Sequence, residues 1–541
     1  MKKSTLALSI AAAIGSLGLA GAANAAMEVN AGGIGHQLVF PYFSAQGDNA
    51  TLMSITNTDT VNGKLVKVRF RGAANSDDLY DFQVLLSPGD IWTAAVSKDA
   101  TTGLARLATS DKSCTLPASV NSTFNTNRLD PSATDEAKAN GTREGYVEVI
   151  TMGNIPPLAS TLSADVAATS LFKTVKHVAG VAPCAAAVLE EKLGTKAGDK
   201  TADTLNELVA PTTGLTGDWI ILNQANTAAW SGSATALSVV ATATAVRVFW
   251  PQKEAAVTLN SPNTMTADPL LTKDVVTAQQ FDLPDMSTVY TTSISHQTAE
   301  AHADAVTTAL AVKSVTNQFV TSDDIAAVTD MLFSQPTRRY HVAVNYTGVK
   351  DDAGIVGVGT TDQPTSRKGS DAIAVYRDTV AGIDGSSVGS AGGARVAGGA
   401  NKFYNTTNMA FPTGSRTLCL NSISTPGQNF RFDREELTPA SSTTDFVISP
   451  RPATAATSVF VCGEAAVMSI NNGGTATGSA LGASVARNDV TFPAGYENGW
   501  LRFNTAATAN ADGLPILGGS FIRMANGAVN YGSMYPHKVT K

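Results

Sequence analysis

Val66-Lys-Val-Arg-Phe-Arg-Gly72 decides the fold. Val66, Val68 and Phe70 alternate with Lys67, Arg69 and Arg71. A strand sends successive side chains to opposite faces of its sheet. This period of two therefore predicts a strand with an apolar face against a core and a basic face in water. Working outward, Thr51-Leu-Met-Ser-Ile-Thr-Asn57 reads as the preceding strand and ends in turn residues. On the other side Phe82, Val84 and Leu86 alternate again, Pro88-Gly89 makes a turn, and Ile91-Trp92 opens another strand. Short strands at intervals of roughly ten residues, punctuated by Gly, Pro and Asn, are the pattern of an antiparallel sandwich.

The rest of the chain repeats that pattern. Tyr146-Val-Glu-Val-Ile150 alternates, Trp219-Ile-Ile-Leu222 reads as a buried strand, and Val246-Arg-Val-Phe-Trp250 stops at Pro251. Tyr340, Val342, Val344 and Tyr346 share one side of a further strand. Val459-Phe-Val-Cys462, Trp500-Leu-Arg-Phe503 and Ser520-Phe-Ile-Arg-Met524 complete the set. Helical composition is confined to residues 184–193, 202–209 and 298–312, and to 323–333 behind a capping Ser322. These pieces do not alternate regularly with strands, which disfavours a doubly wound α/β sheet. The expectation is a mainly β protein: two or more antiparallel β-sandwich-like domains with a few short inserted helices.

At 541 residues the chain is too long for one small core, and roughly two to four domains are expected. Residues 1–25 read as a signal peptide. Lys2 and Lys3 precede a short apolar run, and Ala23-Asn24-Ala25 supplies the small-x-small cleavage pattern. Residues 26–255 form the first region, with a helical insert. Residues 256–541 form the second, which carries a Gly- and Ser-rich loop at 382–400. Past Leu19 no apolar run approaches the roughly 18 residues of a membrane helix.

Export sets the chemistry of the sulfurs. Cys114, Cys184, Cys419 and Cys462 make an even count, which predicts two disulfides. Three connectivities are possible, and the simplest puts one bridge in each half. Their spacing fits neither a zinc site nor a redox pair. Lys plus Arg number 38 against 45 Asp plus Glu, a net charge of −7. That balance speaks against nucleic acid, which needs a cationic footprint. Acidic turns are the one ligand-like feature: Asp77, Asp78 and Asp81 gather carboxylates where calcium wants six to eight oxygens. The simpler account is that Asp and Asn are good turn residues. Calcium is the one cofactor expected as possible.

Catalytic patterns are weak. His296 and His302 stand six apart and share no helical face well. Gly385-Ser386-Ser387-Val388-Gly389 matches a nucleophile elbow, but its surroundings lack the strand-to-helix context that chemistry needs. No catalytic residue is assigned. The tryptophans Trp92, Trp219, Trp230, Trp250 and Trp500 fall mostly on strands and are expected as core anchors. With only 6% aromatic residues, few remain to build a sugar platform.

Two N-terminal segments carry a resemblance. Gly35-His-Gln-Leu-Val-Phe-Pro-Tyr-Phe43 with Asn49-Ala-Thr-Leu-Met-Ser-Ile-Thr-Asn57 is similar to the mature start of betaproteobacterial surface-layer proteins that form nanopods, tubular sheaths around outer-membrane vesicles. Val66-Lys-Val-Arg-Phe-Arg-Gly72 leading to Leu86-Ser-Pro-Gly-Asp-Ile-Trp92 resembles them too. The resemblance is clearest over residues 27–97 and carries no active site. It implies an exported structural protein, not an enzyme, that self-assembles into a cell-surface layer or sheath. Copies of itself would be the main partner, and the outer-membrane surface or its lipopolysaccharide a further one. A secreted adhesin or glycan-binding protein is the alternative, and a secreted hydrolase the next. The expected location is the cell surface or the extracellular space, with the periplasm as alternative.

Overall fold

The computed structural model describes residues 27–126, 128–130, 132–157, 170–193, 207–240, 245, 299–345, 373–376, 403–404, 408–412, 415–420, 431–434, 461–471, 478–492, 495–505, 512–527 and 529–541. The signal segment, His296, Trp250, Ser386, Ser387 and the loop at 382–400 lie outside the described residues.

The chain is mainly β, with several antiparallel sheets and few helices. Its first half supplies β1 (Met27–Val29), β2 (Gln37–Ser44), β3 (Asn49–Asn57), β4 (Gly63–Gly72), β5 (Asp78–Leu86) and β6 (Ile91–Lys98). There follow β7 (Ala105–Ala108), β8 (Cys114–Leu116), β9 (Glu144–Ile155), β10 (Leu215–Asn223), β11 (Ala228–Ser233) and β12 (Thr235–Val239). They make two sheets. Sheet I has the order β1-β12-β2-β9-β4-β5-β8 and sheet II the order β11-β10-β3-β6-β7. The apolar face of sheet I packs on sheet II. Phe82 of β5 meets Trp92 of β6 with ring centroids 5.6 Å apart, and Phe43, Phe70 and Phe124 cluster beside them. The sandwich pattern read from the sequence is thus built, with Val66, Val68 and Phe70 in its core. Trp92, Trp219 and Trp230 are buried as expected, whereas Trp500 is 38% exposed.

The second half begins with β13 (Ala311–Val312), β14 (Ser314–Val320), β15 (Val328–Ser334), β16 (Val342–Asn345), β17 (Ile373–Tyr376), β18 (Met409–Ala410), β19 (Cys419–Leu420) and β20 (Arg431–Asp433). It continues with β21 (Val461–Cys462), β22 (Ala465–Asn471), β23 (Arg487–Thr491), β24 (Asn498–Asn504), β25 (Leu514–Pro515), β26 (Gly519–Asn526), β27 (Val529–Pro536) and β28 (Lys538–Thr540). Sheet III runs β20-β24-β14-β28 and sheet IV runs β23-β22-β15-β26-β27, alongside three small sheets. No described strand pair crosses from one half to the other. The core does cross. One apolar cluster joins Phe40, Val147 and Trp219 to Leu310, Val467 and Phe521. The Trp230 indole N–H donates to the Ile522 carbonyl at 3.1 Å. The expected division near residue 255 falls outside the described residues.

Two helical expectations find helices: Ala186–Leu193 and Ala299–Leu310. The one behind Ser322 does not. Ser322 makes no side-chain cap, a single 3-10 turn covers Asp323–Ile325, and Ala326 leaves it at φ 42°. The chain then enters β15, which is buried throughout. An apolar run buried on both faces cannot be told from a buried helix by its period. Likewise the strand expected from Tyr340 starts only at Val342, after a 3-10 turn at Arg338–Tyr340.

Cys114 bonds Cys184, tying β8 to the loop before Ala186–Leu193, and Cys419 bonds Cys462 across β19 and β21. Two disulfides are a mark of an oxidising environment outside the cytoplasm. Among the described residues no helix is long and apolar enough to cross a membrane.

Candidate functional site: a buried charge network between the halves

The face of β4 expected in water is sealed. Lys67, Arg69 and Arg71 are 1%, 1% and 0% exposed. Two features of the fold seal it. Register places carboxylates on the same face of the neighbouring strands: Arg69 lies opposite Asp81 of β5 and Glu148 of β9, and Arg71 opposite Asp78 after a bulge. The second half of the chain then lies over that face.

The ion pairs follow from the register. The Lys67 ammonium lies 2.9 Å from Asp81, Arg69 sits 3.7 Å from both Asp78 and Asp81, and Arg71 is 3.3 Å from Glu148. From the second half, Arg338 donates to Glu464 at 3.0 Å and to the carbonyls of Leu418, Gly463 and Ala74. Arg339 donates to the Asn75 carbonyl at 3.1 Å and lies 3.6 Å from Asp77. The Tyr340 hydroxyl donates to Glu148 at 2.5 Å. Ser76 donates to the Tyr146 hydroxyl at 2.7 Å, and Tyr146 in turn donates to the Pro336 carbonyl at 3.0 Å. Backbone bonds from Glu464 and Ala465 to the Ala73 carbonyl complete the seam.

The cations Lys67, Arg69, Arg71, Arg338 and Arg339 thus meet the carboxylates Asp77, Asp78, Asp81, Glu148 and Glu464, none more than 4% exposed. Equal numbers of each sign make the set neutral, as a low-dielectric setting requires. Burial pushes the Glu464 carboxyl up to about 7, against the pull of Arg338 and Arg339. Burial also lowers Lys67, opposed by Asp81. Tyr146 and Tyr340 are held well above the ordinary tyrosine range, first by burial and then by the carboxylates beside them. Their hydroxyls therefore stay protonated and donate.

A second seam lies beside the first. Glu144 of β9 accepts the amides of Ser484 and Val485 and the Tyr42 hydroxyl, at 2.7, 3.1 and 3.0 Å. Within the second half, Asp330 of β15 accepts from Ser469, Ser479 and the Leu481 amide, bracing the segment that leads to Ser484. Burial raises both carboxyls above the usual range.

Asp77, Asp78 and Asp81, expected as a calcium loop, are buried and turn toward three different cations of the chain. Among the described residues no group of three or more His, Cys, Asp or Glu side chains is arranged to hold a metal. His302 is buried in Ala299–Leu310, and His341 bonds Thr307 of that helix at 2.7 Å. What the network can do is fasten the second half to one register on sheet I. Sequence reasoning missed Arg338, Arg339 and Glu464. One signal was present: Tyr146, Glu148 and Ile150 share a strand face, and Glu148 against Arg69 would have marked a covered surface. No known protein family, curated protein or solved structure matches this chain.

Proposed function

We propose that this chain is an exported structural protein that joins copies of itself into a layer or sheath at the cell surface. The observation that supports this most is the outer face of sheet II. Register lines up Ser231, Ile220, Leu52, Ala95 and Ala108 in one row across all five strands. Ser233, Asp218, Ser54 and Thr93 form the next row. Leu52 and Ile220 are 37% and 40% exposed, and Ile91 on the same face is 49% exposed. A shallow groove of about 400 Å³ runs between the rows. An open face of small and aliphatic side chains with one carboxylate in these rows costs little to desolvate. It matches the flat, weakly charged contact that a repeating array uses. Heterologous contacts that do not close extend into sheets or tubes. The fastened halves suit that role, because a repeating contact needs a protomer of fixed shape. Two disulfides and the resemblance over residues 27–97 point the same way.

The test is assembly of the purified chain, followed by light scattering and electron microscopy with and without calcium. Wild type is expected to form sheets or tubes. Leu52→Asp with Ile220→Asp is expected to remain monomeric with its thermal midpoint within a few degrees of wild type. Wild-type protein that stays monomeric at every concentration and ionic condition would sink the reading.

A further inference from the structure

Sheet III presents a different surface. Its inner side chains, Val315, Phe319, Leu501 and Phe503, belong to the second apolar cluster. On the outer side, register sets Phe432, Trp500 and Gln318 in one row and Arg502, Thr316 and Lys538 in the next. The Phe432 and Trp500 rings stack at 4.1 Å with planes 17° apart, while Trp500 keeps 38% of its surface in solvent. Arg502, Lys538 and Arg434 are exposed around this pair. The strands β20, β24, β14 and β28 place no Asp or Glu on that outer side, in a chain whose net charge is −7.

We infer that the outer face of sheet III binds an acidic polysaccharide chain. An exposed indole braced from behind by a second ring offers a rigid apolar plate to the C–H face of a sugar. Arg502 follows Trp500 by two residues, about 7 Å along the strand. A carboxylate on the stacked sugar or its neighbour thus comes within reach of a guanidinium fork. Lys538 adds a point charge across the row, and Gln318 and Thr316 supply hydrogen-bonding groups for hydroxyls. Charge complementarity selects the occupant: a neutral glycan would leave Arg502 and Lys538 unused, and a second copy of this face, which carries cations and no carboxylate, would repel it. This inference stands apart from assembly, because the two faces belong to different sheets.

The experiment uses the Leu52→Asp, Ile220→Asp background, so that binding is measured whether or not wild type assembles. Polygalacturonate oligomers are titrated at low and at high salt, with maltodextrin as the neutral counterpart. Salt-sensitive binding is expected, at least tenfold tighter than to maltodextrin. It is expected to weaken at least tenfold in Trp500→Ala and in the exposed-site variant Arg502→Ser with Lys538→Ser. Three results would overturn the inference. They are no polygalacturonate binding at low salt, binding unchanged in the variants, or equal binding of a single-stranded polynucleotide, which would mark a general polyanion surface.

Discussion

Two basic sheet faces in this molecule meet opposite fates. On β4, Lys67, Arg69 and Arg71 are sealed under the second half of the chain. On sheet III, Arg502, Lys538 and Arg434 stand in solvent. The strand patterns do not separate them, since both alternate charge with apolar residues. What differs is the cross-strand company. The neighbours of β4 bring Asp81, Asp78 and Glu148 to the same side, while the neighbours of β24 bring Phe432, Gln318 and Thr316. Alternation fixes which side chains share a face. Matching carboxylates on adjacent strands tell whether that face can be buried, because only a neutralised set tolerates a low dielectric.

The comparison breaks most visibly at Arg338. Arg338→Ala would leave Glu464 buried without its closest cation and remove the guanidinium donor from the carbonyls of Ala74, Leu418 and Gly463. The expected loss is about 3–5 kcal/mol in denaturant unfolding. Replacing both partners, Arg338→Met with Glu464→Leu, is expected to recover most of that loss, because a well-packed apolar pair avoids the desolvation of two charges. If Arg338→Ala were as stable as wild type, the seam would not hold the halves.

The next largest effect is a pH dependence. Burial holds the folded Glu464 carboxyl at about 7, above the ordinary glutamate value of 4.5. The folded state therefore binds the extra proton, and this group's contribution is fully present below about 4.5. It is lost as pH rises toward 7, by about 3 kcal/mol for a fully buried group. His36 and His537 pull the other way. Burial lowers each to about 4, so their contributions are present above 6.5 and vanish as pH falls through 4. The raw stability curve mixes these slopes. The difference between wild type and Glu464→Gln isolates the first: relative to the variant, wild type is expected to lose about 3 kcal/mol between pH 4.5 and 7. Parallel curves would mean that Glu464 keeps an ordinary carboxylate pKa within the seam.

Much of this was legible in the sequence, and the reason is local. The strands around residues 51–57, 66–72 and 82–86 follow a period of two that needs no tertiary knowledge. The Ala-rich composition of residues 298–312 was enough for the helix Ala299–Leu310. The covered face was not legible, because its cover comes from far along the chain. Arg339 reaches Asn75 across 264 positions, and Tyr146 reaches Glu464 across 318. Asp77, Asp78 and Asp81 drew notice as clustered oxygens, and they are indeed ligands, but of guanidinium and ammonium groups. Asp330 shows the same limit. It falls within residues 323–333, where a helix is expected, yet β15 buries it beneath two serine hydroxyls and an amide. The sequence does not separate Trp500 from the buried tryptophans, because a strand position alone does not say which side faces out.

The smallest expected effect sharpens the comparison from the exposed side. Arg502→Ser changes a solvated residue of sheet III whose row holds Thr316 and Lys538 and no carboxylate. Folding stability is expected to stay within about 0.5 kcal/mol of wild type, as for surface substitutions away from any buried partner. The same change at Arg71, where Glu148 lies 3.3 Å away under full cover, should cost several times more. A pair of denaturation curves measures both. Equal losses would mean that sheet III is also covered in solution, its cations forming one more seam.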